Sequence, residues 1–184
     1  MVIIKNNYYL YIENIKDLNL DKLLNNKKII IILRNIKNNT LPEIKKYRQK
    51  CKNKNIKFYI ANSEKIAQLC NADGLYISAY NKKKYYTNIP KIGAAHNLKE
   101  INEKIFQDCS VIIFSRLFKT HYQYKKNYLG IVKFNLISKS ISRNLVPLGG
   151  IDNQNLLRLN LVRSDSFACL SALKKKPAIS NRLF

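Results

Sequence analysis

A chain of 184 residues suits one domain built on a single core and is too short for two comfortable ones. Hydrophobic residues at 46% and a mean hydropathy of -0.29 exclude a disordered composition, and no apolar run approaches the roughly 18 residues of a membrane span. The net charge of +23, from 34 basic and 11 acidic residues, raises the question of a nucleic-acid partner. Against it, Lys, Asn, Ile and Tyr are abundant together, and all four have A+T-rich codons, a bias that yields basic charge without an acidic partner. The lysine clusters at 82–84 and 174–176 carry neither interleaved RNP-like aromatics nor an Arg-rich helix, so the sequence predicts solvated surface there.

The longest apolar run, residues 29–33, is bounded by Lys27, Lys28 and Arg34, which argues against a membrane span, and no membrane partner is expected. The first ten residues lack the features of a secretory signal, so a cytoplasmic location is expected. Cys51, Cys70, Cys109 and Cys169 have no CxxC or CxxxC spacing and fall on apolar segments, which reads as packing and not as disulfides or metal ligands.

Eight short β-branched or aromatic runs alternate with amphipathic stretches, the pattern of βαβ units in a parallel sheet. They are residues 8–12, 28–34, 57–61, 74–78, 91–95, 110–115, 145–149 and 166–170. Several, such as IIIIL and SVIIF, are apolar throughout, as expected of strands covered on both faces. Between them, Thr40 caps a helix with Pro42 in its first turn and Ile44, Tyr47 and Cys51 on one face. Ser63 opens a short helix ending near Asn71, and Asn97 caps one whose Leu98, Ile101, Ile105 and Phe106 form the expected buried stripe. Further helices are predicted over 131–141, with Ile131, Phe134, Ile137 and Ile141 in register, and over 153–162. Eight strands favour closure, so the predicted fold class is α/β: a small (β/α)8 barrel spanning 1–184 as one domain. Some connecting helices are short or missing, most notably over 81–90.

In such a barrel the working groups lie just past the carboxyl ends of the strands. Gly149 and Gly150 in PLGGI end the seventh strand, and Leu170 and Ser171 follow the eighth. Together these are expected to cradle a phosphate, the alternative being a tight structural turn. Arg34 ends an apolar strand, where its partner is either an anionic ligand or a neighbouring carboxylate. His96 directly follows strand five at the mouth, placed for acid-base work or for a helix-start hydrogen bond. Thr120 and His121 open a loop-like, basic stretch in which Lys119 and Lys125 either attract a phosphate or are simply solvated, while Lys126 reads as solvated.

These residues resemble a family. FYIANSEKIAQLCNADGLYIS is similar to the third and fourth strands of thiamine phosphate synthases and their TenI-type relatives, and IGAAHNLKE, IIFSRLFKT, PLGGI and FACLSAL follow in the family's order, from Leu10 to Leu173. The resemblance implies a barrel that couples hydroxymethylpyrimidine diphosphate to thiazole phosphate with release of diphosphate. It implies that Arg34 binds the pyrimidine substrate's diphosphate, that Thr120 belongs to the phosphate-contacting loop, and that Gly149, Gly150, Leu170 and Ser171 hold the thiazole phosphate.

The resemblance also implies Mg2+ on the diphosphate, but Asn62 and Asn81 stand where aspartates are expected, and neutral amides weaken a conventional site. Ala94 replaces a serine, and Tyr122 and Gln123 stand where a threonine and a lysine are common, with Lys125 two residues away. The expected partners are phosphorylated small molecules, and a homo-oligomer is left open. Two alternatives to the transferase are a TenI-type tautomerase using His96 and a barrel that binds a phosphorylated ligand without catalysis.

Overall fold

In the structure, a computed structural model that describes residues 5–23, 28–120, 127–152 and 154–169, eight parallel strands close into a barrel in chain order. They are β1 (Asn7–Ile12), β2 (Ile29–Leu33), β3 (Lys57–Ala61), β4 (Gly74–Ile77), β5 (Lys91–Ala95), β6 (Val111–Ser115), β7 (Asn144–Leu148) and β8 (Ser166–Cys169). β8 returns to β1, with Asn7 opposite Ser166 and Leu10 opposite Cys169, which removes the sheet edges. Each strand ends within one residue of its predicted bounds, apart from Leu170, which lies outside the described residues.

Strand alternation divides the apolar side chains into two layers. One set fills the lumen, with Tyr9, Tyr11, Tyr59 and Tyr76 set against small neighbours such as Ala61, Ala94 and Ala168. The other set packs outward against the helices, for example Phe58, Phe114 and Phe167.

Among the described residues four α-helices cover the barrel: α1 (Leu41–Asn53), α2 (Glu64–Leu69), α3 (Leu98–Phe106) and α4 (Gly130–Ser140). The predicted caps form. Thr40 accepts from the Glu43 amide while Glu43 accepts from the Thr40 amide, and Ser63 and Asn97 accept from Ile66 and Glu100. Among the described residues the β1–β2 connection carries two 3-10 turns, Ile15–Asp17 and Leu20–Lys22, the β7–β8 connection carries one 3-10 segment, Leu156–Leu161, and residues 78–90 carry no helix. These economies close an eight-stranded barrel in a short chain. No helix among the described residues is long and apolar enough to cross a membrane.

Two helical expectations need correction. Within the segment predicted as a helix over 153–162, the structure forms a 3-10 helix at Leu156–Leu161, with Leu157 and Leu161 exposed. In α3, Leu98 is 56% and Phe106 69% exposed, and the fully buried partner of Ile101 is Lys104. Gly93 on β5 explains the exchange: it leaves a furrow filled by the Lys104 methylenes, and a Cβ at Gly93 would lie 2.8 Å from them. The Lys104 ammonium donates to the Asn81 carbonyl and to Gln107 Oε1, each at 2.8 Å, so its polar end is satisfied.

Candidate functional site

The strand ends converge on a cavity of about 670 Å³ at the carboxyl mouth. Tyr11, Tyr76, Ala94, Ile113 and Leu148 line its depth, and Arg34, His96, Arg116, Thr120, Lys133 and Gly149 line it nearer the rim. Of the residues expected from sequence to form the site, Arg34, His96, Thr120 and Gly149 therefore share one chamber. Lys125, Leu170 and Ser171, together with His121, lie outside the described residues.

Arg34 follows β2 directly and is anchored by its own amide donating to the Ile12 carbonyl at 2.9 Å. Of the two partners weighed from sequence, the structure places the neighbouring carboxylate, Glu13. Arg34 Nη1 lies 3.3 Å from Glu13 Oε1, yet the two side chains are 41% and 49% exposed, and a pair that open contributes little. The guanidinium also lies over the Tyr11 ring, 5.5 Å from its centroid, which steers it toward the cavity.

His96 occupies the turn between β5 and α3. Its main-chain amide donates to Glu100 Oε2 at 2.7 Å, and its Nδ1 lies 3.0 Å from the same oxygen. Burial opposes the Glu100 charge, but the bonds from His96 and Asn97 and the His96 charge outweigh it and hold the carboxyl below the usual glutamate range. An ionised carboxylate only accepts, so the neutral imidazole carries its proton on Nδ1 and leaves Nε2 as the basic nitrogen.

Gly149 and Gly150 have φ of +98° and +69°, a conformation that favours glycine. They face the segment after β6 closely: the Phe118 amide donates to the Gly149 carbonyl at 3.0 Å, and a Cβ on Gly150 would sit 2.5 Å from the Phe118 and Lys119 carbonyl oxygens. Gly150 thus has a packing task, whereas Gly149 borders the cavity. On the same segment, Arg116 Nη1 donates to Thr120 Oγ1 at 3.2 Å, placing a guanidinium and a hydroxyl side by side.

The amides at the family's metal positions are bonded to each other. Asn62 Oδ1 accepts from the Ser78 amide at 3.0 Å, the Ser78 hydroxyl at 3.0 Å and Asn81 Nδ2 at 2.9 Å. Asn81 Oδ1 accepts from the Lys83 amide, and its Nδ2 also meets the Tyr85 hydroxyl. Main-chain N–H groups can only donate, so Ser78 and Lys83 settle which end of each amide is oxygen. Both oxygens are occupied and neither residue brings a negative charge, so this pair does not fit Mg2+. Among the described residues no group of three or more His, Cys, Asp or Glu side chains comes together.

Sequence reasoning passed over Glu100, Arg116, Lys133, Tyr11 and Tyr76. Arg116 was visible as the residue immediately after β6, and Glu100 as the carboxylate four residues after His96, at i,i+4 spacing.

A closed eight-stranded parallel barrel with helices between its strands and a cation-lined mouth defines the class: the (β/α)8 barrels. Residues 13–173 match the model of the thiamine monophosphate synthase family, and the chain belongs to that family. It is 27% identical over 142 residues to a thiamine-phosphate synthase of Prochlorococcus marinus, a match covering 74% of this chain and 41% of that protein, so it spans about two fifths of that relative's length. Its fold resembles that of thiamine phosphate pyrophosphorylase from Pyrococcus furiosus, with a TM-score of 0.76 and 18% identity over 98% of this chain and 93% of the other. A 3-keto-L-gulonate-6-phosphate decarboxylase from Vibrio cholerae also shares the fold, with a TM-score of 0.69 and 11% identity over 97% and 95% of the two chains.

Proposed function

We propose that this barrel couples hydroxymethylpyrimidine diphosphate to thiazole phosphate, with the departing diphosphate neutralised by side chains instead of a cation held by Asn62 and Asn81. The observation that carries the reading is that Arg34, Arg116 and Lys133 line one cavity with the Thr120 hydroxyl. The thiazole nitrogen lone pair forms a bond to the exocyclic methylene of the pyrimidine, and the carbon–oxygen bond to diphosphate breaks with its electron pair going to that oxygen. Charge grows on the leaving group, and preorganised guanidinium and ammonium groups stabilise it there. No proton need move to complete the bond, and family membership is the independent support.

The test is to supply both substrates and detect thiamine phosphate by oxidation to fluorescent thiochrome. Product is expected, and its absence at high enzyme concentration contradicts the reading.

A second reading, a thiazole phosphate tautomerase, is favoured by one specific feature, the His96–Glu100 pair at 3.0 Å in the same cavity. Glu100 orients the imidazole so that Nε2 can take and return a carbon-bound proton, a step that requires no metal. It predicts deuterium exchange into the thiazole in D2O, lost in His96→Ala. Wild-type protein that exchanges no deuterium counts against it.

A further inference from the structure

Two hydroxyls deep in the cavity have no task in the coupling step. Tyr11 on β1 and Tyr76 on β4 are buried side by side, their rings edge-on at 5.4 Å between centroids, and Tyr11 Oη donates to Tyr76 Oη at 3.2 Å. Both line the cavity, and the Arg34 guanidinium over the Tyr11 ring links them to the cationic rim. Two phenols bring two protons, and the single bond between them uses one. Whichever hydroxyl donates, the other proton is left over: among the described residues the Tyr11–Tyr76 bond is the one hydrogen bond that either phenol makes. Burial pushes both phenols above the ordinary tyrosine value, so both keep their protons at neutral pH.

Resting on the coupling reading above, we infer that the Tyr11–Tyr76 pair recognises the pyrimidine ring, donating its spare proton to a ring nitrogen while the diphosphate lies among the rim cations. The pyrimidine is the partner because the thiazole nitrogen must keep its lone pair free to attack. A hydroxyl chain of this kind, Tyr11 to Tyr76 to ring nitrogen, strengthens each bond in turn. It also disfavours a ring without an acceptor, because the buried proton would then go unpaired.

The experiment is calorimetric titration of the whole chain with three probes: hydroxymethylpyrimidine diphosphate, benzyl diphosphate, which keeps the six-membered aromatic ring and the methylene diphosphate but lacks the ring nitrogens and the amino and methyl substituents, and inorganic diphosphate. Wild-type protein should bind the pyrimidine compound about fivefold or more tighter than the benzyl compound. Tyr76→Phe, and more fully Tyr11→Phe/Tyr76→Phe, should remove that preference and leave inorganic diphosphate within about twofold of wild type. Equal wild-type affinity for the two ring compounds overturns the inference while the cationic rim stands, and needs no variant to fold. Retention of the preference in the double variant also overturns it. Wild-type protein that binds none of the three overturns the coupling reading and this inference with it.

Discussion

Asn62 Oδ1 accepts a hydrogen bond from Asn81 Nδ2 at 2.9 Å, tying the end of β3 to the loop after β4 where family resemblance leads one to expect two carboxylates. Asn62 holds this position with φ of +57°, a conformation that Asn and Asp tolerate better than most residues, and its carbonyl takes the Tyr85 hydroxyl at 2.9 Å. The backbone is therefore compatible with aspartate and the side-chain chemistry is not. Asn62→Asp/Asn81→Asp should lose about 2 to 4 kcal/mol in EDTA, because two anions then face each other without the bridging N–H. Mn2+ should restore much of that loss and leave wild-type melting unchanged. A wild-type melting temperature that rises with Mn2+ as far as the variant's would contradict this account.

Much of this fold can be read from the chain because barrel strands are covered on both faces. IIIIL at β2 is buried at every position and needs no alternation to be recognised. The shared placement of Arg34, His96 and Gly149 in the cavity was legible because each directly follows a strand, and that of Thr120 because it lies on the segment after β6, at the carboxyl mouth of the barrel. Lys104 and the tyrosine pair were not. The burial of Lys104 depends on the missing side chain at Gly93 across the α3–β5 interface. The meeting of Tyr11 and Tyr76 depends on curvature that brings β1 opposite β4 across the lumen, a long-range relation that no local period carries.

Gly150 should tolerate substitution worse than Gly149. An alanine at 150 meets two carbonyl oxygens at 2.5 Å, and main chain cannot step aside, whereas at 149 the nearest atom is Arg116 Cγ, on a side chain that can move. Gly150→Ala is expected to cost about 3 kcal/mol or more by urea denaturation. A loss smaller than that of Gly149→Ala would show that the loop after β6 is less tightly held.

Glu100 supplies a pH dependence of known sign. Its folded pKa lies below the unfolded value, so its contribution is full above the usual glutamate pKa and disappears as pH falls through the folded value. Between about pH 5 and pH 3 the wild type should lose more stability than Glu100→Gln, which keeps the geometry without the titration. Parallel melting curves across that range would rule out the His96–Glu100 bond as a source of acid sensitivity.

The four cysteines are buried and free. Burial pushes Cys51 and Cys169 up to about 12 and Cys109 to about 11, and raises Cys70 as well, leaving little thiolate near neutrality. Native protein at about pH 8 should react slowly with a disulfide reagent such as DTNB, whereas unfolded protein should release four equivalents promptly. Rapid native labelling would show that one of these segments opens.

The central claim is that side-chain cations carry the diphosphate charge in this barrel. The most direct measurement is thiamine phosphate formation from the two substrates in Mg2+ and in EDTA, for wild type and Arg34→Ala. The account predicts an EDTA rate within about tenfold of the Mg2+ rate, and a loss of about 10²-fold or more in Arg34→Ala under both conditions. Turnover that vanishes in EDTA, together with full activity of Arg34→Ala in Mg2+, would contradict it.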